Sequence, residues 1–271
     1  MGLALDLHAW RAIPRRDRVA VLSSLFGVAV LAWIYLIRLI RASARMGGDG
    51  APMAMMEIRP WEPTDFALIF MMWTIMMVGM MLPSAAPATM MYAAVARKAA
   101  RDGNVVPPTI VFVSGYAALW TLFSVFATSA QWGLDQAALL SPMMVTTSPA
   151  IGAGLLVAAG VYQLTPIKRA CLDHCRSPAH FLSEHWRPGV GGAFRMGLQH
   201  GAFCVGCCWV LMGLLFLGGV MNLLWIAAIS AFVFVEKMLP VSGVKTSERL
   251  TGWAMIVIGV TLWLVLAGPS L

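Results

Sequence analysis

The sequence predicts an all-α, polytopic membrane helix bundle of about seven transmembrane helices. Three observations carry that prediction. Of 271 residues, 60% are apolar and 11% are charged, against about 25% charged in a typical soluble domain. Apolar runs of ~20 residues recur, each long enough to cross ~30 Å of hydrocarbon. These runs lack the polar alternation of barrel strands. Together they exclude a water-soluble globule, a disordered chain and an outer-membrane barrel.

The spans fall at about 19–40, 66–92, 109–130, 147–165, 196–217, 222–239 and 250–267. Arg11, Arg15, Arg16 and Arg18 precede the first. Ala42-Ser43-Ala44 resembles a signal-peptidase site, but the long apolar run with Arg38 and Arg41 just before it points to an uncleaved anchor. Counting the N-terminus as the first segment, the odd-numbered segments hold 15 of the 19 Lys and Arg residues. Among them are Arg97, Lys98, Arg101, Lys168, Arg169, Arg176, Arg187, Arg195, Lys237, Lys245 and Arg249. Only Arg38, Arg41, Arg45 and Arg59 lie on the other side. That asymmetry puts the N-terminus inside and the C-terminus outside. The net charge of +7 therefore reflects topology, and the expected partner is the lipid bilayer, not nucleic acid. The basic loops place the chain in a bacterial inner membrane.

The whole chain, 1–271, reads as one integral membrane domain. Residues 1–65 form an anchor helix and a Met-rich outer loop, 66–240 a metal-binding core, and 241–271 the last helix. The longest loop, about 166–195, has ~30 residues, too few for an independent core. Function must then reside in the bundle or in loops pinned to it. Met71-Met72-Trp73-x2-Met76 in the second span parallels Cys207-Cys208-Trp209-x2-Met212 in the fifth. These spans run in opposite directions, so the six helices after the first could form an inverted three-helix repeat.

Soft ligands gather in three places. Twelve of the 20 methionines lie between positions 46 and 91. Met46, Met53, Met55 and Met56 occupy the outer loop. Met72, Met76 and Met80 recur at i, i+4 in the second span, with Met77 and Met81 beside them. The third group joins Cys171 and Cys175 on an inner loop to His200, Cys204, Cys207 and Cys208. In the fifth span Met196, His200, Cys204, Cys208 and Met212 recur every fourth residue. Such a series drifts ~40° per step on a 3.6-residue helix, so only neighbouring members need converge. Thioethers and thiolates together select Cu(I) over harder ions. Glu236 is the single acidic residue well inside a span, which argues against Mg, Ca or Mn. With Lys237 beside it, it reads as a snorkelled structural pair. Zinc stays open at Cys171-x3-Cys175 with His174, His180 and His185. Five cysteines, none in an outer loop, argue against a disulfide framework.

Three runs carry a family resemblance. They are Met71-Met72-Trp73-Thr74-Ile75-Met76-Met77-Val78-Gly79-Met80-Met81-Leu82-Pro83, then Leu164 to Pro178 with Lys168, Cys171, His174 and Cys175, then Gly197 to Trp209 with His200, Cys204, Cys207 and Cys208, continuing to Glu236-Lys237. Together, over about 66–240, they resemble the bacterial predicted metal-binding integral membrane proteins, a family named for a domain of unknown function. The resemblance implies metal binding and no particular activity.

The expected metal residues are Cys204, Cys207, Cys208, His200, Cys171, Cys175, Met72, Met76, Met77, Met80 and Met81. The expected role is Cu(I) uptake, handover or insertion, with no catalysis. A periplasmic or cytoplasmic metallochaperone is a natural partner. Two alternatives stand. Cys204-x2-Cys207 and Cys171/Cys175 could serve a membrane thiol–quinone redox enzyme, although these cysteines map to the reducing side. The chain could also be an assembly factor for a membrane metalloenzyme. No nucleotide or nucleophile motif is present.

Overall fold

Prolines and capping groups decide where the helices start. The computed structural model describes residues 15–48, 61–101, 103, 107–141, 144–238 and 241–267. The expected outer-loop ligands Met53, Met55 and Met56 lie outside these residues, as does the side chain of Met46. Among the described residues the regular elements are helical, with one isolated antiparallel bridge between Leu140 and Thr146.

Helix α1 spans Arg15–Gly48 and continues unbroken through Ala42-Ser43-Ala44. Helix α2, Pro63–Met81, starts on a capping box of Glu62 and Asp65 with Pro63 in its first turn. It ends where Pro83, which lacks an N–H, begins a 3-10 turn over Pro83–Ala85. Helix α3 (Ala86–Arg101) follows, then α4 (Thr109–Gln136) and α5 (Pro149–Leu164). At Thr165-Pro166 the chain bends by 66° into α6, Pro166–Arg176. Thr165 caps α6 by accepting a bond from the Lys168 N–H at 3.2 Å. Helix α7 (Pro178–His185) and α8 (Gly189–Gly213) come next, followed by the short α9 (Leu215–Gly218). Helices α10 (Leu223–Met238) and α11 (Val241–Ala267) complete the order.

Among the described residues, five helices are long and apolar enough to cross a membrane: Arg18–Ala42, Pro63–Met81, Thr109–Gln136, Gly189–Gly218 and Glu248–Val265. The bent pair α5–α6 makes a sixth if counted as one span. This is fewer than the seven expected. The span expected at 222–239 is the 16-residue α10, about 24 Å long at 1.5 Å per residue. The loop expected at about 166–195 is mostly helix, with α6 folded back against α8.

Two helix pairs dominate the packing, α4 with α8 and α5 with α11. Glycines let the first pair close. A Cβ on Gly115 of α4 would strike the Phe194 carbonyl oxygen, and one on Gly197 of α8 would strike that of Phe112. Small residues at such crossings let backbones approach and gain dispersion contact where lipid offers no hydrophobic drive. Gly197→Ala is expected to cost at least the ~1–3 kcal/mol of an overpacked core. Thermal unfolding in detergent reads this, and a wild-type melting curve would contradict it.

The expected inverted repeat would map the α4–α8 pair onto α10–α2. The first is extensive, whereas α10 touches α2 lightly. Burial also splits the paired motifs: Trp73 is 1% exposed and Trp209 43%, Met71 54% and Cys207 1%. The short sequence match does not extend to the packing.

Candidate metal centre

The site forms where the end of α2, the start of α4, α6, the middle of α8 and the end of α10 meet. Met72, Met76, Met77, Met80 and Met81 share one buried face of α2. They belong to the same buried apolar cluster as Cys204, Cys207, Cys208 and Met212. The Met71 side chain points the other way and is exposed.

Helix α8 supplies three thiols within five residues, all buried. Cys175 of α6 packs against the buried cluster that holds Cys204 and Cys207. Cys204, Cys207 and Cys208 belong to that same cluster. Cys171, one turn before Cys175, packs against Gly206 so closely that a Cβ there would lie 2.7 Å from the Cys171 sulfur. Thiols from two helices thus converge, the three of α8 buried and Cys171 and Cys175 of α6 half-buried. All five cysteines are free.

The sulfurs are held in an inward-turned state. The Cys207 and Cys208 thiols each donate to the Cys204 carbonyl oxygen at 3.0 Å. Tyr116 of α4 donates to the Met81 carbonyl oxygen at 3.0 Å and shares a hydrogen bond of 3.0 Å with the Cys204 sulfur. The Lys237 ammonium donates to Cys204 Sγ at 2.9 Å and to Ser84 Oγ at 3.1 Å. Among the described residues, no three His, Cys, Asp or Glu side chains already surround a common point as ligands. Rotating Cys207 and Cys208 off the carbonyl and withdrawing Lys237 would free three sulfurs.

His200 stands beside this cluster, one turn before Cys204. Its ring lies among Phe181 (5.3 Å), Tyr116 (5.8 Å) and Phe112 (6.1 Å), measured between ring centres. Its Nδ1 is buried and has no hydrogen-bond partner among the described residues. The fourth-residue series of α8 therefore divides. Met196 belongs to a second apolar cluster with Tyr92, Phe112 and Phe181, while Cys204, Cys208 and Met212 join the main one.

The set considered for zinc is not assembled. Cys171 and Cys175 pack against the main cluster, whereas His174 stacks on Phe203 of α8 at 4.1 Å and neighbours His180 and His185 at 6.5 and 6.4 Å. His180 pairs with Glu184 at 3.4 Å.

Glu236 and Lys237 are not a snorkelled pair. Glu236 binds Lys168 of α6 at 2.8 Å, with side chains 7% and 0% exposed. Gln163 of α5 bridges them, donating to Glu236 and accepting from Lys168. Its amide also donates to Thr251 at 3.2 Å. Arg176 donates to the Glu236 carbonyl oxygen and lies 3.7 Å from Glu248 of α11, which also faces Arg169 at 3.5 Å. A buried charge costs several kcal/mol unless paired, and this network pairs them. It also ties α6, with its two cysteines, to α5, α10 and α11.

Tyr116, Ser84, Lys168 and Lys237 escape the expected ligand set. Tyr116→Phe removes the hydroxyl that links Met81 to Cys204, and a drop of about 10–100-fold in Cu(I) affinity is expected, the scale of an outer-shell loss. Chelator competition measures it, and an unchanged affinity would count against the bridge. A cleft of about 1130 Å³ opens among α4, α5, α8 and α11, lined by apolar side chains such as Phe123, Leu155 and Trp263. No cysteine lines it, so its size gives it no part in the metal chemistry.

Fold and site together define an all-α bundle of apolar helices enclosing a sulfur-rich pocket. Residues 70–262 match the PpoB2 family, described as copper chaperones, and the chain belongs to that family. Membership ties it to copper. No curated protein and no solved structure matches the chain.

Proposed function

We propose that this chain is a membrane-embedded Cu(I) chaperone, not an enzyme. It holds the ion on Cys204, Cys207, Cys208 and Cys175, with Cys171 alongside, and hands it to an acceptor. One observation carries this: thiols from α6 and α8 converge with buried α2 methionines in one apolar cluster. Soft sulfur donors gathered in one apolar cluster favour Cu(I) over harder ions. The buried face from Met72 to Met81 leads to that pocket, a graded route from weaker thioethers to stronger thiolates. Its direction is drawn from the charge asymmetry of the sequence, which supports thiols near the cytoplasmic side of a bacterial inner membrane. Acceptors that fit are a periplasmic or cytoplasmic metallochaperone or a membrane metalloenzyme under assembly.

The test is Cu(I) transfer from protein in nanodiscs, loaded anaerobically, to a soluble chelator and to an apo copper protein. Stoichiometric loading followed by release to both supports the proposal. Failure to load would count against the proposal, and oxidation of the Cys204/Cys207 dithiol to a disulfide coupled to reduction of a quinone to its quinol would favour the thiol redox alternative. Metal movement in sealed vesicles separates handover on one side from transport across.

A further inference from the structure

Lys237 lies in the site, yet nothing in copper ligation calls for it. It belongs to the last turn of α10 and is 5% exposed. Its ammonium is 2.9 Å from Cys204 Sγ, 3.1 Å from Ser84 Oγ and 3.9 Å from Met81 Sδ. These acceptors come from α8, the 3-10 turn and α2. The nearest carboxylate in sequence, Glu236, is turned away and engaged by Lys168. A buried cation here is held by two sulfurs and a hydroxyl, and the Tyr116 hydroxyl also bonds the Cys204 sulfur. Two of those sulfurs are donors expected to take the metal.

We propose that the Lys237 ammonium is a built-in stand-in for Cu(I), holding the Cys204 sulfur while no metal is carried and withdrawing when the metal binds. This rests on Cys204 being a ligand of the copper site. An ammonium and Cu(I) both carry a single positive charge, so Cu(I) replaces the ammonium at the Cys204 sulfur while Lys237 swings away, and each further thiol that joins the metal releases its proton. Two cations cannot share the same sulfur at contact distance in a low-dielectric pocket. Lysine suits the role, being a compact charge on a flexible four-carbon stem that can swing clear. The stand-in keeps the emptied site from collapsing around an unpaired charge. It also caps affinity, so that the ion can leave again.

Full-length protein in detergent is titrated anaerobically with Cu(I) against a chromophoric Cu(I) chelator, for wild type, Lys237→Leu, Lys237→Arg and Ser84→Ala. Lys237→Leu is expected to tighten binding by about tenfold or more, one decade in Kd, and to slow release to the chelator. Lys237→Arg keeps the charge and should bind no more tightly than wild type. Ser84→Ala removes one acceptor of the ammonium and should tighten binding by about two- to tenfold, the span of a single hydrogen bond. Wild-type or weaker binding by Lys237→Leu would overturn the stand-in role. If that variant does not fold, unchanged or weaker binding by Ser84→Ala overturns it instead. A wild-type protein that binds no Cu(I) would defeat the copper function itself, a different outcome from wild-type binding that Lys237→Leu leaves unaltered.

Discussion

Replacing Cys204, Cys207 and Cys208 together by serine is expected to abolish stoichiometric Cu(I) binding while leaving the bundle folded. Serine is close to cysteine in volume, and its hydroxyl can repeat the bonds that the Cys207 and Cys208 thiols make to the Cys204 carbonyl. Within a helix such back-bonding costs little. The change is therefore chemical more than steric: three soft donors become hard ones, which Cu(I) does not favour. The affinity loss should exceed the ~10–100-fold that outer-shell changes cost. Anaerobic chelator competition gives the affinity, and far-ultraviolet circular dichroism checks the helices. Binding that survives intact in the folded variant would move the site elsewhere. Met76→Leu is the useful contrast, because it keeps the packing and removes a thioether outside the thiol pocket.

Glu236→Gln is expected to be the most destabilising conservative change in the bundle. Lys168, with no exposed surface, would be left without its counter-charge. Removing one partner of a buried pair typically costs ~3–5 kcal/mol, because the remaining charge stays in low dielectric. Thermal unfolding in detergent should show a clear fall in Tm. The double variant Lys168→Met with Glu236→Met should lose much less than the single changes summed, since no charge is then stranded. The network ties down α6, so Cys171 and Cys175 should also react faster with a thiol reagent in Glu236→Gln. A wild-type Tm with unchanged labelling would mean that the pair contributes nothing to holding the helix.

Much of this architecture was legible in the residues. Apolar runs give helices, and the i, i+4 methionines do lie on one buried face of α2. The cysteine groups at 171–175 and 204–208 do meet. Helix breaks were also written in the sequence but were outweighed by hydropathy. Pro83 ends α2 inside what reads as one continuous run to residue 92, and Pro166 and Pro178 start helices in what reads as a loop. Proline at a first helical position is the available signal.

The place of Lys237 departs from the sequence expectation for a geometric reason. An acid and a base adjacent in sequence look like a pair, but residues i and i+1 on a helix project ~100° apart and do not face each other. Glu236 and Lys237 therefore serve two sites, one the ion network and the other the sulfur pocket. Their adjacency on α10 joins the clamp on the cysteine helix to the cation against Cys204. Tyr116 and Ser84 carried no local signal, because their roles depend on which helices pack together. His200 shows the reverse: its spacing placed it with the cysteines, yet aromatic rings from α4 and α7 surround it.

X-ray absorption at the copper edge, on protein loaded anaerobically with one equivalent of Cu(I), tests the central assignment most directly. Sulfur alone in the first coordination shell, lost in the triple serine variant, is the result expected. A shell of nitrogen or oxygen ligands, or a sulfur shell that persists without Cys204, Cys207 and Cys208, would contradict it.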